Sequence, residues 1–216
     1  MGVLNAFTEN TATNLQLDSG VIVRGLKDPS TFNGTITAPA KTIGATSGGG
    51  SFTATPTFRN IFEDLDGARG VYKGGQVIDA WEIKLTATIK EMTAENLRLA
   101  LASADTTPAT EGGKFDTTVA RLEVKDTDYL DNLCFICRIN GQDDPLIIEL
   151  KNVLNVSGLS LTTEDKGTGS VELELQAHFD LANPSEVPFK IYTPKATTWN
   201  KVGVARVGET KLGQVK

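Results

Sequence analysis

The chain has 216 residues, 39% apolar and 22% charged, which supports a packed core in one large all-β domain or two small ones. Its net charge of −6 and isoelectric point near 4.9 argue against a general phosphate-gripping surface, which would be basic. No stretch approaches the roughly 18 apolar residues that cross a bilayer, so no membrane partner is expected.

The opening MGVLNAFTEN has neither a basic start nor a long apolar run and does not read as a signal peptide. Ala6 stands where N-myristoylation wants Ser or Thr, so residence in a cytoplasm is expected. Residues 15–26, LQLDSGVIVRGL, hold a first strand with Val21, Ile22 and Val23 as its apolar run. From Lys27 to Gly50 hydrophobicity falls, and Pro29, Pro39 and the run GATSGGG predict a long loop. Loops of this length are mostly functional arms or disordered, with a dispensable surface insertion as the alternative.

SFTATPTFRNI, residues 51–61, alternates and carries Pro56, which suits an edge strand. Asp66-Gly67 and Gly74-Gly75 supply turns. Residues 81–92, WEIKLTATIKEM, then alternate almost without fault: Trp81, Ile83, Leu85, Ala87 and Ile89 against Glu82, Lys84, Thr86, Thr88 and Lys90. Such a strand has one dry face and one wet face.

A helix of about ten residues follows, with Thr93 as N-cap and Glu95 in the first turn. Ala94, Leu97, Ala100, Leu101 and Ala104 give it an apolar stripe. DTTPATEGG ends it. VARLEVKD, from Val119, alternates weakly as a strand. LCFICRI is apolar on both faces, like a central strand, and Asn140-Gly141 turns it into PLIIELKNVL. A second hairpin forms around DKGTG, residues 165–169. Its return strand puts Val171, Leu173, Leu175, Ala177 and Phe179 on one face, and Glu172, Glu174, Gln176, His178 and Asp180 on the other. VPFKIYTP closes the sheet. The tail from residue 195 to 216 is polar and Lys-rich, with Trp199 as its one large apolar residue.

The fold class is therefore all-β with one short helix: a β-sandwich or barrel with the helix packed at its side. One domain is expected over residues 1–194, including the long loop 27–50, followed by a C-terminal arm over 195–216.

No constellation for catalysis emerges. His178 is the lone histidine, on the polar face of an alternating strand, and no acid spacing near it makes a triad. Cys134 and Cys137 form C-x-x-C, but in a strand they point to opposite faces about 10 Å apart, too far for a disulfide. Zinc would need four ligands. Both cysteines read as small buried hydrophobes. Asp64, Asp66 and Gly67 start like a calcium loop, yet Gly75 stands where the twelfth-position Glu belongs. GATSGGGS lacks the lysine of a phosphate loop and precedes a strand. Glu172 and Glu174 fit a solvated face better than a glycosidase pair. No enzyme activity, cofactor or metal is expected.

The ordered series GATSGGGSFTATPTFRNIFEDLDGARGVYKGGQVIDAWEIKLTATIKEMTAENLRLAL resembles the tail tube (major tail) proteins of long-tailed bacteriophages. The shared pattern is a Gly-Gly-x-Phe entry, an x-x-Arg-x-Ile strand, a D-G-x-R-G turn, a K-G-G turn, an alternating strand and E-x-T-x-E-N-L into a short helix. LDSGVIVRGL, LSLTTEDKGTGSVELELQAHFD and NPSEVPFKIY also look like that family, so the resemblance spans about residues 15–192. No single motif is specific; the order carries the weight.

The resemblance implies a structural virion protein. Six copies would form a ring, rings would stack into a hollow tube, and DNA would pass through an inner β-barrel completed between copies. Its partners would be itself, the tape measure, tail terminator and baseplate or tip proteins, with a sheath left open. Its place would be the virion tail, and the host cytoplasm during assembly. Glu172, Glu174, Gln176, His178 and Asp180 would then face the lumen, where negative charge repels phosphate. The strand from Trp81 to Ile89 would line the same channel or cover an outer sheet. Lys27, Asp28, Pro29, Thr42, Gly48 and Gly49 of the loop, and Trp199 of the arm, would order on contact with a neighbouring copy. The alternatives are a ring or tube subunit of a headless contractile particle or of the tail terminus, and a soluble β-sandwich binding module.

Overall fold

The alternating segment is the inner part of a long strand, and its apolar set is withdrawn from water: Ile83, Leu85 and Ile89 are 0% exposed. The computed structural model describes residues 6–7, 11–12 and 14–195. In chain order the strands and helix are β1 (Gln16–Arg24), β2 (Lys41–Thr42), β3 (Thr46–Asn60), β4 (Gln76–Ile89), α1 (Ala94–Ala100), β5 (Ala104–Thr107) and β6 (Thr117–Ala120). Then come β7 (Leu130–Ile139), β8 (Leu146–Asn155), β9 (Leu161–Thr162), β10 (Ser170–Ala177) and β11 (Phe189–Tyr192). This is an all-β fold with one short helix.

Nine strands form one antiparallel sheet in the order β2-β1-β7-β8-β10-β4-β3, with β9 beside β10 and β11 beside β8. β5 and β6 make a separate two-stranded ribbon. The large sheet forks at β8. Its first half pairs with β11, from Ile147 to Leu150, and its last residues pair with β10, from Val153 to Asn155. The fork lets the sheet fold over on itself. Phe189 of β11 then packs on Phe52 of β3 and Trp81 of β4, with ring centroids 5.7 and 5.8 Å apart.

β1, next to one end of the sheet, and β3, at the other end, meet over Phe135 of β7. A Cβ at Gly20 would stand 2.6 Å from that ring, and one at Gly50 would stand 3.1 Å from it. Gly20, at φ of 75°, leaves no room for a Cβ, while at Gly50 a Cβ would press on the ring and require it to give by a few tenths of an ångström. Ile22, Ile83, Leu85, Leu133, Phe135, Leu150, Leu173 and Leu175 share the enclosed core. Each large aliphatic buried there contributes about 1.5–3 kcal/mol.

β7 is central, as its composition predicts. Cys137 joins the core, while Cys134 is buried on the opposite face with Val23 and Ile147. Both thiols are free. Burial pushes the Cys137 thiol up to about 11; burial and then the neighbouring Glu149 push Cys134 up to about 12.

Four expectations are corrected. First, the segment 27–50 is no structureless loop. Asp28 caps a 3-10 turn over Pro29–Thr31, accepting from Ser30 N at 3.1 Å and Ser30 Oγ at 2.6 Å. Pro29 and Ala40 are buried, and Thr42 pairs with Val23 of β1. Gly48 and Gly49 belong to β3, at positive φ of 76° and 80°, inside a bulge between Ser47 and Gly50. A bulge of glycines interrupts the ladder locally and carries no alternation, so the strand start was hidden.

Second, α1 spans seven residues rather than about ten. Thr93 caps it as expected, accepting from Asn96 N at 3.2 Å. Leu101 is the C-cap, and Ala104 opens β5.

Third, Asp105 to Thr107 are strand, and β6 stops at Ala120, leaving Leu122 and Val124 exposed.

Fourth, β10 ends at Ala177, so Phe179 is exposed rather than inward.

Candidate assembly and lumen surfaces

Because β10 pairs with β4, and β4 with β3, the two wet strand faces of the sequence are one surface. Glu172 lies opposite Thr88, Glu174 opposite Thr86 and Gln176 opposite Lys84. On the other edge of β4, Ser51 lies opposite Thr86, Thr53 opposite Lys84 and Thr55 opposite Glu82. Side chains at facing positions share a face, so this is a continuous three-stranded polar surface backed by the core.

Its charges are partly spent on one another. Lys84 Nζ lies 2.5 Å from Glu82 Oε1 and 2.9 Å from Glu174 Oε1. These two carboxylates, Glu82 first, hold the Lys84 ammonium well above its ordinary range. Glu172 is exposed and takes no part in these bridges. Glu82, Glu172 and Glu174 against Lys84 and Lys90, whose ammonium donates to Thr168 O at 3.2 Å, leave the surface net negative by one charge. Where β3 bulges, Gly48, Gly49 and Gly50 open a shallow depression of about 410 Å³ that Glu172 and Glu174 overlook. Among the described residues no cluster of three or more His, Cys, Asp and Glu could hold a metal.

Of the five residues expected to share this face, the structure brings together Glu172, Glu174 and Gln176. His178 lies past the end of β10, its ring edge-on to Tyr129 at 5.3 Å and its Nδ1 3.1 Å from the Asn152 carbonyl oxygen. Asp180 caps a turn instead, accepting from Ala182 N at 2.9 Å. Of the assembly residues, Lys27, Asp28, Thr42 and Gly48 are exposed, Gly49 is half-buried and Pro29 is buried, so most of this set stays on the surface although all but Lys27 lie in the ordered turns and strands described above. Trp199 lies outside the described residues.

Sequence reasoning missed a second surface. Beyond Trp81 the β3–β4 hairpin leaves the core, and residues 76–80 are exposed on both faces. Phe58 and Ile78 face each other across this ribbon, 54% and 48% exposed. Arg59 Nε bridges to Asp79 at 2.9 and 3.2 Å and braces it. The connecting segment 61–75 is organised by its own contacts. Phe62 meets Tyr72 edge-on at 6.1 Å, Tyr72 Oη accepts from Arg69 N at 3.2 Å, and Ile61 N donates to Gly75 O at 2.8 Å. Ile61, Leu65, Val71, Tyr72 and Val77 are all exposed there. The signal available in the sequence was an apolar residue on both sides of the alternation, Val77-Ile78, where a half-buried strand should have one.

The polar ties that hold the β3–β4–β10 polar surface to the body are buried amides. Asn155, 2% exposed, donates to Ala100 O at 2.7 Å and Gly158 O at 3.2 Å, and accepts from Glu174 N at 2.9 Å. It ties α1 to β10. Asn96 donates to Ile43 O at 2.9 Å and Glu91 O at 3.0 Å, tying α1 to the entry of β3. Glu95 pairs with Arg24 of β1, and that guanidinium holds its carboxyl below the usual range.

No family model matches the chain, and no curated protein matches it. Among solved structures the chain is similar to a chain of the virion of a native gene transfer agent particle, at 12% identity and a TM-score of 0.40. That likeness covers 83% of this chain and 100% of the other. Among the described residues no helix is long and apolar enough to cross a membrane.

Proposed function

We propose that the chain is a structural virion protein, a tail tube subunit that polymerises as stacked rings around a bore through which DNA passes. The β3–β4 ribbon carries this reading. A two-stranded ribbon standing clear of its core, with apolar residues bare on both faces, is marginal alone and calls for more strands or a partner surface. A sister copy laid along the ribbon would cover Phe58 and Ile78 and extend the sheet, and repeating that contact head to tail closes a ring. The ordered sequence resemblance to tail tube proteins supports the same assembly.

The polar face of β3, β4 and β10 would then line the bore. Ser51, Thr53, Thr55, Thr86 and Thr88 give it hydroxyls, and Glu172 adds carboxylate free of the Lys84 bridges. Such a wall is wet and mildly anionic, so phosphates slide past it without an ion pair to break. Sedimentation velocity over a rising concentration series tests the assembly. Conversion of a monomer into very large particles is the expected result, and a monomer throughout the series would refute it.

A further inference from the structure

The chain leaves β11 at a fixed point. Tyr192 Oη donates to the buried carboxylate of Glu149 at 2.8 Å. Thr193, Pro194 and Lys195 then border a depression of about 460 Å³ whose other walls include Pro29, Phe32, Asp144 and Pro145. Phe32, Asp144 and Pro145 also wall a larger depression of about 640 Å³, so the two are neighbours that share a wall.

The larger one has an apolar floor. Val21 of β1 and Ile136 of β7 are cross-strand partners on the outer face of the sheet, and Phe32 and Ile36 from the 27–40 segment close its side. Its rim is acidic. Asp18, Asp143 and Asp144 line it against one cation, Arg138. Among the described residues none of these three aspartates forms an ion pair.

The sequence that continues from Lys195 has the complementary chemistry. Residues 196–216 carry Lys201, Arg206, Lys211 and Lys216 against Glu209 alone, in a chain of net charge −6. Trp199 is followed by Val202, Val204 and Val207. Trp199 stands four residues after Lys195, a reach of at most about 14 Å from the rim of the first depression. We propose that residues 196–207 occupy this groove of their own molecule. Trp199 covers Val21, Ile36 and Ile136, and Lys201 and Arg206 face the aspartate rim. An aromatic anchor on an apolar floor, flanked by charges of opposite sign, is the usual form of a peptide-binding groove. The inference is independent of tube formation, since it concerns one molecule in dilute solution.

The test is acrylamide quenching of Trp199 in the full chain. Its signal is the difference between wild type and W199A, which leaves Trp81 in place as a common background. A free peptide of residues 196–207 serves as the reference for an unshielded indole. Quenching several-fold weaker than the peptide's, lost with D143K/D144K and weakened by salt, is expected. Both substitutions lie in an exposed turn, so melting of that variant should match wild type. Quenching equal to the peptide's in wild type would overturn the proposal. So would shielding that disappears on dilution, because the occupant would then come from a second copy. Shielding indifferent to D143K/D144K and to salt would overturn it as well.

Discussion

His178 and Asn152 hold each other at the fork of the sheet. His178 N donates to Asn152 O at 3.2 Å, Asn152 Nδ2 reaches His178 O at 3.4 Å, and the imidazole Nδ1 sits 3.1 Å from the same Asn152 carbonyl. Asn152 has φ of 50°, between the part of β8 that pairs with β11 and the part that pairs with β10. A left-handed residue there turns the strand edge from one partner to the other. Asn152→Gly should cost within about 1 kcal/mol, whereas Asn152→Val, forced to positive φ, should cost about 2–3 kcal/mol. Urea unfolding of the two variants checks this. Equal stability would mean that the left-handed geometry at the fork is unimportant.

Gly20 should be as sensitive. It combines φ of 75° with a ring carbon of Phe135 2.6 Å from where a Cβ would stand. Gly20→Ala should destabilise by about 2–3 kcal/mol, and Phe135→Leu in the same chain should recover part of that loss. Additive losses in the double variant, measured by urea unfolding, would contradict the packing.

Asp128 makes stability depend on acid. Its side chain is 1% exposed, accepts from Lys125 N at 2.8 Å and pairs with Arg121 Nη2 at 2.6 Å. Burial alone would raise its carboxyl, but the Lys125 amide and the Arg121 guanidinium outweigh it and hold it below the ordinary range. The stabilisation is therefore full above the unfolded value of about 4 and is lost as pH falls through the lower folded value. Asp128→Asn should cost about 3 kcal/mol at pH 7 by taking the buried carboxylate from Arg121, which keeps only the exposed Asp105 as an ion-pair partner, with the gap to wild type closing as pH falls below about 4. Thermal melts at both pH values decide it.

The ribbon variant Phe58→Ser with Ile78→Asp separates folding from assembly. Both side chains are exposed, so melting should move by no more than about 0.5 kcal/mol in equivalent stability, while sedimentation should show the polymer lost. A variant that polymerises like wild type would remove the ribbon from the interface.

The sequence made legible what local chemistry dictates. Alternation marked the buried faces of β4 and β10, Asn140-Gly141 marked the β7–β8 turn, and Thr93 marked the start of α1. It hid what depends on partners far along the chain. The Gly48–Gly50 bulge read as a loop because glycines carry no alternation, although Ser47 and Gly50 still pair with Thr88 and Ala87 of β4. The fork at Asn152 left no trace in strand periodicity, so His178 and Asp180 read as a continuation of β10, which ends at Ala177. That β3, β4 and β10 share one polar face follows from their register and from no motif. The bare ribbon needed the fold to show where the core stops.

Negative-stain electron microscopy of the concentrated wild-type chain tests the central claim most directly. Hollow rods of constant width with a stain-filled central channel are the predicted result. Small uniform particles at every concentration, or solid fibres with no channel, would contradict it.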